Sequence, residues 1–260
     1  MKQNILEVKS IGIQFGGLKA VDNFNLNIEK GQLAGLIGPN GAGKTTVFNM
    51  LTGVYKPSQG DILLNGKSIV GKTIHEISEH GMARTFQNIR LFKTLTVFDN
   101  IMLGFHQHFH SNMAQSVLCT PNFFEEEDFK KKEAFKLLEI FKLSHKSNEE
   151  AGSLPYGEQR KLEILRALAT NPSILLLDEP AAGMNHAETH NLMEVIAQIR
   201  KDFNLSVLLI EHDMKLVMEI CENIHVLDHG IKIAEGTPSQ IQTNPKVIEA
   251  YLGIEEEQHT

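Results

Sequence analysis

The chain has 260 residues, enough for one large domain or two small lobes with a full core. An apolar fraction of 42% and a charged fraction of 22% are ordinary for a globular protein, and a formal net charge of −7 argues against a dedicated nucleic-acid binder, whose affinity would come from neutralising phosphates. The two cysteines, Cys119 and Cys221, are spaced for neither a metal site nor a disulfide framework and read as thiols in a reducing compartment. The stretch from Met1 to Val8 has polar and acidic interruptions unlike a signal peptide, and no run approaches the ~18 apolar residues of a membrane span. A cytoplasmic chain is therefore expected, unless a partner holds it at a membrane.

In chain order, Ile5 to Val8, Ile11 to Phe15 and Phe24 to Ile28 alternate with period two, which predicts antiparallel strands with one wet face. Leu33 to Ile37 is a short apolar run, read as a buried strand. Thr45 to Leu51 reads as a helix, Gly60 to Gly66 as a strand ending in a turn, and Ile74 to His80 as helical. Roughly residues 88–163 show no convincing strand and several helical stretches. There Glu126, Glu127 and Asp128 precede Lys130, Lys131 and Lys132 by four residues, which predicts a solvated helical face. Ile174 to Asp178 and Ser206 to Glu211 are further apolar strands. Between them Leu192, Val195, Ile196 and Ile199 fall on one face of a helix from Glu188 to Lys201. Strands separated by helices predict a parallel sheet with crossover helices. The tail from Glu255 to Thr260 is polar and expected to fray.

Between the predicted strand at Leu33 to Ile37 and the helix behind it lie Gly38, Pro39, Asn40, Gly41, Ala42, Gly43, Lys44, Thr45 and Thr46. They fit the phosphate-binding loop, in which glycines let successive N–H groups point into one concavity and the helix N-terminus favours negative charge. Lys44 would reach the terminal phosphates and the Thr45 hydroxyl would hold Mg²⁺. The strand from Ile174 delivers Asp178 and Glu179 at its C-terminal end, where open α/β sheets bind ligands. Asp178 would contact Mg²⁺, directly or through water, and Glu179 could act as general base toward an attacking water.

With Leu154, Pro155, Tyr156, Gly157, Glu158 and Gln159 between them, these two segments resemble the ATPase subunit of ABC transporters, over nearly the whole chain. The resemblance implies a P-loop nucleoside triphosphatase (NTPase) core (residues 1–87 and 164–240), with a mainly parallel sheet and an N-terminal antiparallel β subdomain. It also implies an inserted helical lobe (88–163) and a C-terminal helix and tail (241–260). Residues 154–159 stand where that family has its signature, usually Leu-Ser-Gly-Gly-Gln. Gln87 matches the glutamine that senses Mg²⁺ and the γ-phosphate, and His212 the switch histidine. Phe15 matches the aromatic residue against adenine, though simple core packing would also account for it. The loop Ala181 to Asn185 matches a segment at the dimer interface. His106, His108 and His110 are not expected to bind metal, because only His106 and His110 share a helical face and no carboxylate or cysteine completes them nearby.

The resemblance implies a head-to-tail dimer in which the phosphate loop of one subunit and the signature of the other clamp ATP. Motion would pass through the helical lobe to a membrane permease. Pro155 removes the usual serine hydroxyl and Tyr156 replaces the first signature glycine, so the site that uses this signature is expected to be the weaker. Gly12 to Ala20, the insertion from Phe105 to Asp128, and the ending Asn244 to Gly253 are most similar to the ATPases of branched-chain amino-acid importers. Such systems imply a second ATPase, or a homodimer, together with permeases and an external solute-binding protein, the ATPase lying on the cytoplasmic membrane face. Importers of urea or amides, lipid or lipopolysaccharide systems, and non-transport ABC proteins stand as alternatives, as does a nucleotide-binding scaffold without turnover.

Overall fold

The computed structural model of the chain describes residues 3–105 and 121–257. Strand β1, Asn4–Phe15, is continuous, whereas the alternation in the sequence breaks it in two. The break is a bulge. Ser10 takes a φ of 50° and the register with β2, Leu18–Glu29, shifts between Val8 and Ile11, so Ile11 and Ile13 return to the buried face. With β4, Gln59–Leu64, and β5, Lys67–Ser68, these strands form an antiparallel sheet of order β2-β1-β4-β5.

A second sheet has the order β10-β9-β3-β8-β7-β6. Its strands are β3 Leu33–Ile37, β6 Met82–Arg84, β7 Ile174–Asp178, β8 Ser206–Ile210, β9 Asn223–Asp228 and β10 Ile231–Gly236. Every residue of β3, β7 and β8 is buried, as parallel strands covered on both faces require. Only β10 runs antiparallel to its neighbour, at one edge. The resulting fold is α/β, with an antiparallel β sheet and a mainly parallel one.

The chain packs as two compact units. The first comprises Met1–Arg84, Ser173–Pro180 and Ala197–Thr260, and holds both sheets. Its core joins Leu36, Val47, Phe48, Leu176, Leu208 and Ile210, so the helix Lys44–Leu51 is seated on the parallel sheet by Val47 and Phe48. The final helix, Pro245–Glu257, includes residues 255–257 of the tail that the sequence predicts to fray.

The second unit, Thr85–Pro172 with Ala181–Ile196, is helical. It contains the helices Val97–Phe105, Pro121–Ile140 and Tyr156–Leu168. Asn100 is fully buried; its amide donates to Phe92 O and Thr96 O and accepts from Phe92 N, which fixes the chain entering the first of these helices. The solvated face predicted from Glu126 to Lys132 holds at Asp128, Lys131 and Lys132, which are exposed, and is corrected at Lys130. Lys130 is 3% exposed and pairs with Glu127 at 2.8 Å, three residues away rather than four. Its long side chain finds an acceptor beside its own stem, so it can be buried. His106, His108, His110 and Cys119 lie outside the described residues. Among the described residues, no helix is long and apolar enough to cross a membrane.

Candidate functional site

The phosphate loop leaves β3 at Ile37 and enters the helix Lys44–Leu51 through Gly43, whose φ is 102°. No side chain caps that helix and its first turn carries no acidic residue, so its amide donors are left for an anion. Gly38 and Gly43 are required by conformation and by space. Both lie at positive φ, and an added Cβ would stand 1.9 Å from Leu227 O at the first and 2.8 Å from Ala20 O at the second. Ala42 is buried and closes a turn to Pro39 O, while Asn40, Gly41 and Thr45 are exposed and Thr46 is half-buried.

Lys44 is only 9% exposed, and its Nζ donates to Gly38 O at 2.6 Å and Pro39 O at 2.8 Å. Burial lowers its pKa from the usual lysine range, against the opposing pull of the Glu179 and Asp178 carboxylates. The Tyr251 hydroxyl of the last helix is buried, which pushes its pKa up to about 12 while the Gly38 N–H works the other way. Tyr251 thus stands close to the loop, a contact that nothing in the sequence signals.

Asp178 ends β7, one strand away from β3, with β8 between them. It is 4% exposed, and its Oδ2 accepts from Arg84 Nη2 at 2.8 Å. Arg84 also donates to Asn49 Oδ1 at 2.7 Å and lies over the Phe48 ring, which ties the end of β6 to the helix behind the loop. The sequence reading passed over Arg84. The available signal was a cation at the end of a short apolar stretch, Met82-Ala83. Glu179 has a φ of 46° and its N–H donates to Ile210 O at 2.9 Å. A non-glycine residue in this left-handed region costs about 1–3 kcal/mol, so strain is stored at this carboxylate. His212 Nδ1 stands 3.9 Å from Glu179 Oε2 and 3.7 Å from the buried carboxylate of Glu211. Phe15 is 45% exposed, with its ring edge-on to Tyr55 at 5.2 Å, so it is not a core residue.

Lys44, Asp178, Glu179, His212 and Phe15 all belong to the first unit; Gln87 and residues 154–159 belong to the second. The Gln87 side chain is exposed. Leu154 is buried, and its carbonyl accepts from Gln159 Nε2 at 2.8 Å. Pro155 is the N-cap of the helix Tyr156–Leu168; its carbonyl accepts from the N–H groups of Glu158 and Gln159, and no side chain caps this end. Tyr156 packs its ring on Gly183, where an added Cβ would lie 3.2 Å from the ring. The Glu158 carboxylate pairs with Lys146 at 2.6 Å, and Gly157 is half-buried. Sequence reasoning also missed Arg160 and Glu163, an opposite-charge pair three residues apart on the buried face of this helix.

A glycine loop opening an uncapped helix, with an Asp-Glu pair at the end of a nearby parallel strand, defines a phosphate-loop nucleoside triphosphatase. A family model described as ABC transporter matches residues 21–182, and one described as branched-chain amino acid ATP-binding cassette transporter matches residues 232–257. The chain is 49% identical to the high-affinity branched-chain amino acid transport ATP-binding protein BraF of Pseudomonas aeruginosa, covering 97% of this chain and 99% of that one. It is 47% identical to the correspondingly described protein LivG of Escherichia coli, with the same coverage. A crystal structure of the ADP conformation of an ATP-binding cassette of an ABC transporter superposes with a TM-score of 0.84 at 32% identity, covering 96% of this chain and 99% of that one. The chain belongs to the ABC transporter family. It binds nucleotide and hydrolyses ATP.

Proposed function

We propose that the chain is the ATP-hydrolysing subunit of an importer of branched-chain amino acids. The observation that carries this is the 49% identity, over nearly the full length of both chains, to a protein described as a branched-chain amino acid transport ATP-binding protein. The separate match of residues 232–257 supports the same solute class. Urea, amide and lipid systems are not favoured by either.

ATP would place its phosphates against the first-turn amides of the helix Lys44–Leu51, and the Lys44 ammonium would exchange two loop carbonyls for phosphate oxygens. Phe15 would support adenine. Glu179 would take the proton of the attacking water, with His212 nearby to hold the γ-phosphate. Asp178 and Thr45 offer hard oxygen donors, and Arg84 engages only one oxygen of Asp178, so the donor set fits Mg²⁺. By its likeness to the family's glutamine, Gln87 would sense Mg²⁺ and the γ-phosphate. Mg²⁺, when bound, would neutralise charge on the β- and γ-phosphates.

Residues 154–159 would serve the ATP site of a second ATPase subunit, through the amides at the start of the helix Tyr156–Leu168. The partners would be that second ATPase, permease subunits at the cytoplasmic membrane face and, indirectly, a solute-binding protein outside. The test is reconstitution of the chain with a second ATPase, permease subunits and a solute-binding protein of a branched-chain amino-acid importer. Leucine, isoleucine or valine should stimulate phosphate release and enter the vesicles. Stimulation by urea alone would overturn the solute assignment.

A further inference from the structure

The helix Tyr156–Leu168 holds the segment of Gln87 through one buried ion pair. Arg160 is fully buried. Its Nη1 donates to Phe86 O at 2.5 Å and to Glu163 Oε2 at 2.9 Å, and its Nη2 donates to Gln87 O at 2.7 Å. Glu163, 2% exposed, accepts from Arg90 N at 3.1 Å through its other oxygen. The Arg90 guanidinium in turn lies over the Phe86 ring at 3.9 Å. Both ends of the stretch 86–90 are thus tied by main-chain atoms to one turn of the helix, while the Gln87 side chain remains exposed. Main-chain contacts fix where the Gln87 side chain starts.

A buried ion pair adds little net stability, because the desolvation of both charges offsets their attraction. Burying this one is therefore better explained by the arrangement it enforces. A guanidinium can serve two carbonyls and a carboxylate at once, which a lysine ammonium on a flexible stem does with less geometric definition.

We infer that Arg160 and Glu163 are positioning residues for ATP hydrolysis: they set the main chain of Gln87 and make its placement depend on the helix that carries residues 156–159. The inference rests on the role proposed above for Gln87.

The experiment uses the assembled transporter. Removing one partner leaves an uncompensated buried charge and risks unfolding, so the main variant is Arg160→Met with Glu163→Leu, which removes both charges and retains volume. Arg160→Lys is the conservative companion. Both should melt near the wild type. In the double variant, the amides of 86–90 should exchange hydrogen faster, and turnover at saturating ATP should fall about tenfold, the size of coupling expected between groups in contact. The deciding measurement is the same pair of substitutions in a Gln87→Ala background, where they should cost no further turnover. An equal loss with and without Gln87 would overturn the inference, as would unchanged exchange at 86–90. If Gln87→Ala alone leaves turnover at the wild-type level, the role of Gln87 is what fails.

Discussion

The positive φ of Glu179 separates two properties that a single carboxylate substitution usually mixes. Glu179→Gln keeps the side-chain shape and the strained backbone, so it should retain ATP binding and lose single-turnover hydrolysis. Glutamine-substituted protein that hydrolyses at the wild-type rate would remove Glu179 from the base role. Glu179→Gly should be equally inactive but should melt about 2 °C or more above Glu179→Ala, since only glycine relieves about 1 kcal/mol of left-handed strain. Equal midpoints for the two would show that the strain is absent. Lys44 allows a pH test. Its pKa is lowered, so the unfolded chain binds more protons than the folded one just below the usual lysine range, and this group's contribution to stability rises with pH there. Phosphate favours the charged lysine, so ATP binding in that alkaline window should take up protons. Calorimetry in buffers of different ionisation enthalpy should show uptake in the wild type and none in Lys44→Arg; equal uptake in both would assign the proton elsewhere.

At the level of elements, Pro155 is an N-cap without a capping side chain. Pro155→Ser would add a cap worth ~1 kcal/mol and lose ~0.4–1 kcal/mol of proline stiffening. The two nearly cancel, so a change in turnover would report the new hydroxyl rather than a steadier helix. A hydrogen bond to a charged group is worth ~1.5–3 kcal/mol, so turnover in the complex should rise by about tenfold or more. No change in turnover or ATP affinity would remove Pro155 as the cause of a weaker site. The loop and the buried strands were legible because their residues are constrained locally: glycines at positive φ, and apolar runs covered on both faces. The register of β1 was not, because a bulge at Ser10 breaks the period on which the reading rests. Strand β6 has three residues, too few to show any period, and β10 is partly wet along its length. Arg84, Arg160 and Glu163 were illegible for a different reason. Their meaning lies in partners 94, 73 or 74 residues away, which no local pattern announces.

For the whole molecule, a composite site predicts that the isolated chain is a poor ATPase. Its phosphate loop would need another subunit's signature, and in a homodimer the one on offer carries Pro155. Turnover should rise when the partner ATPase and permease are added. Full activity in a sample that sediments as a dilute monomer would contradict the composite site. If the partner's signature keeps a serine, Glu179→Gln in this chain should lower turnover more than the matching change in the partner.

The strand that leads into the phosphate loop, β3, lies between β8 and β9. A ribosome completes β3 at Ile37 but does not reach Asn223 until roughly 190 residues later, which at ~5–20 residues per second is about 10–40 s. Until then the strand has at most β8 beside it, made roughly 170 residues after β3, its other edge is unpaired and Gly38 has no Leu227 carbonyl to pack against. The loop proposed to hold nucleotide is therefore encoded long before the strands that flank it. A nascent chain released before β9 should bind no ATP, so nucleotide binding certifies that translation has passed β9.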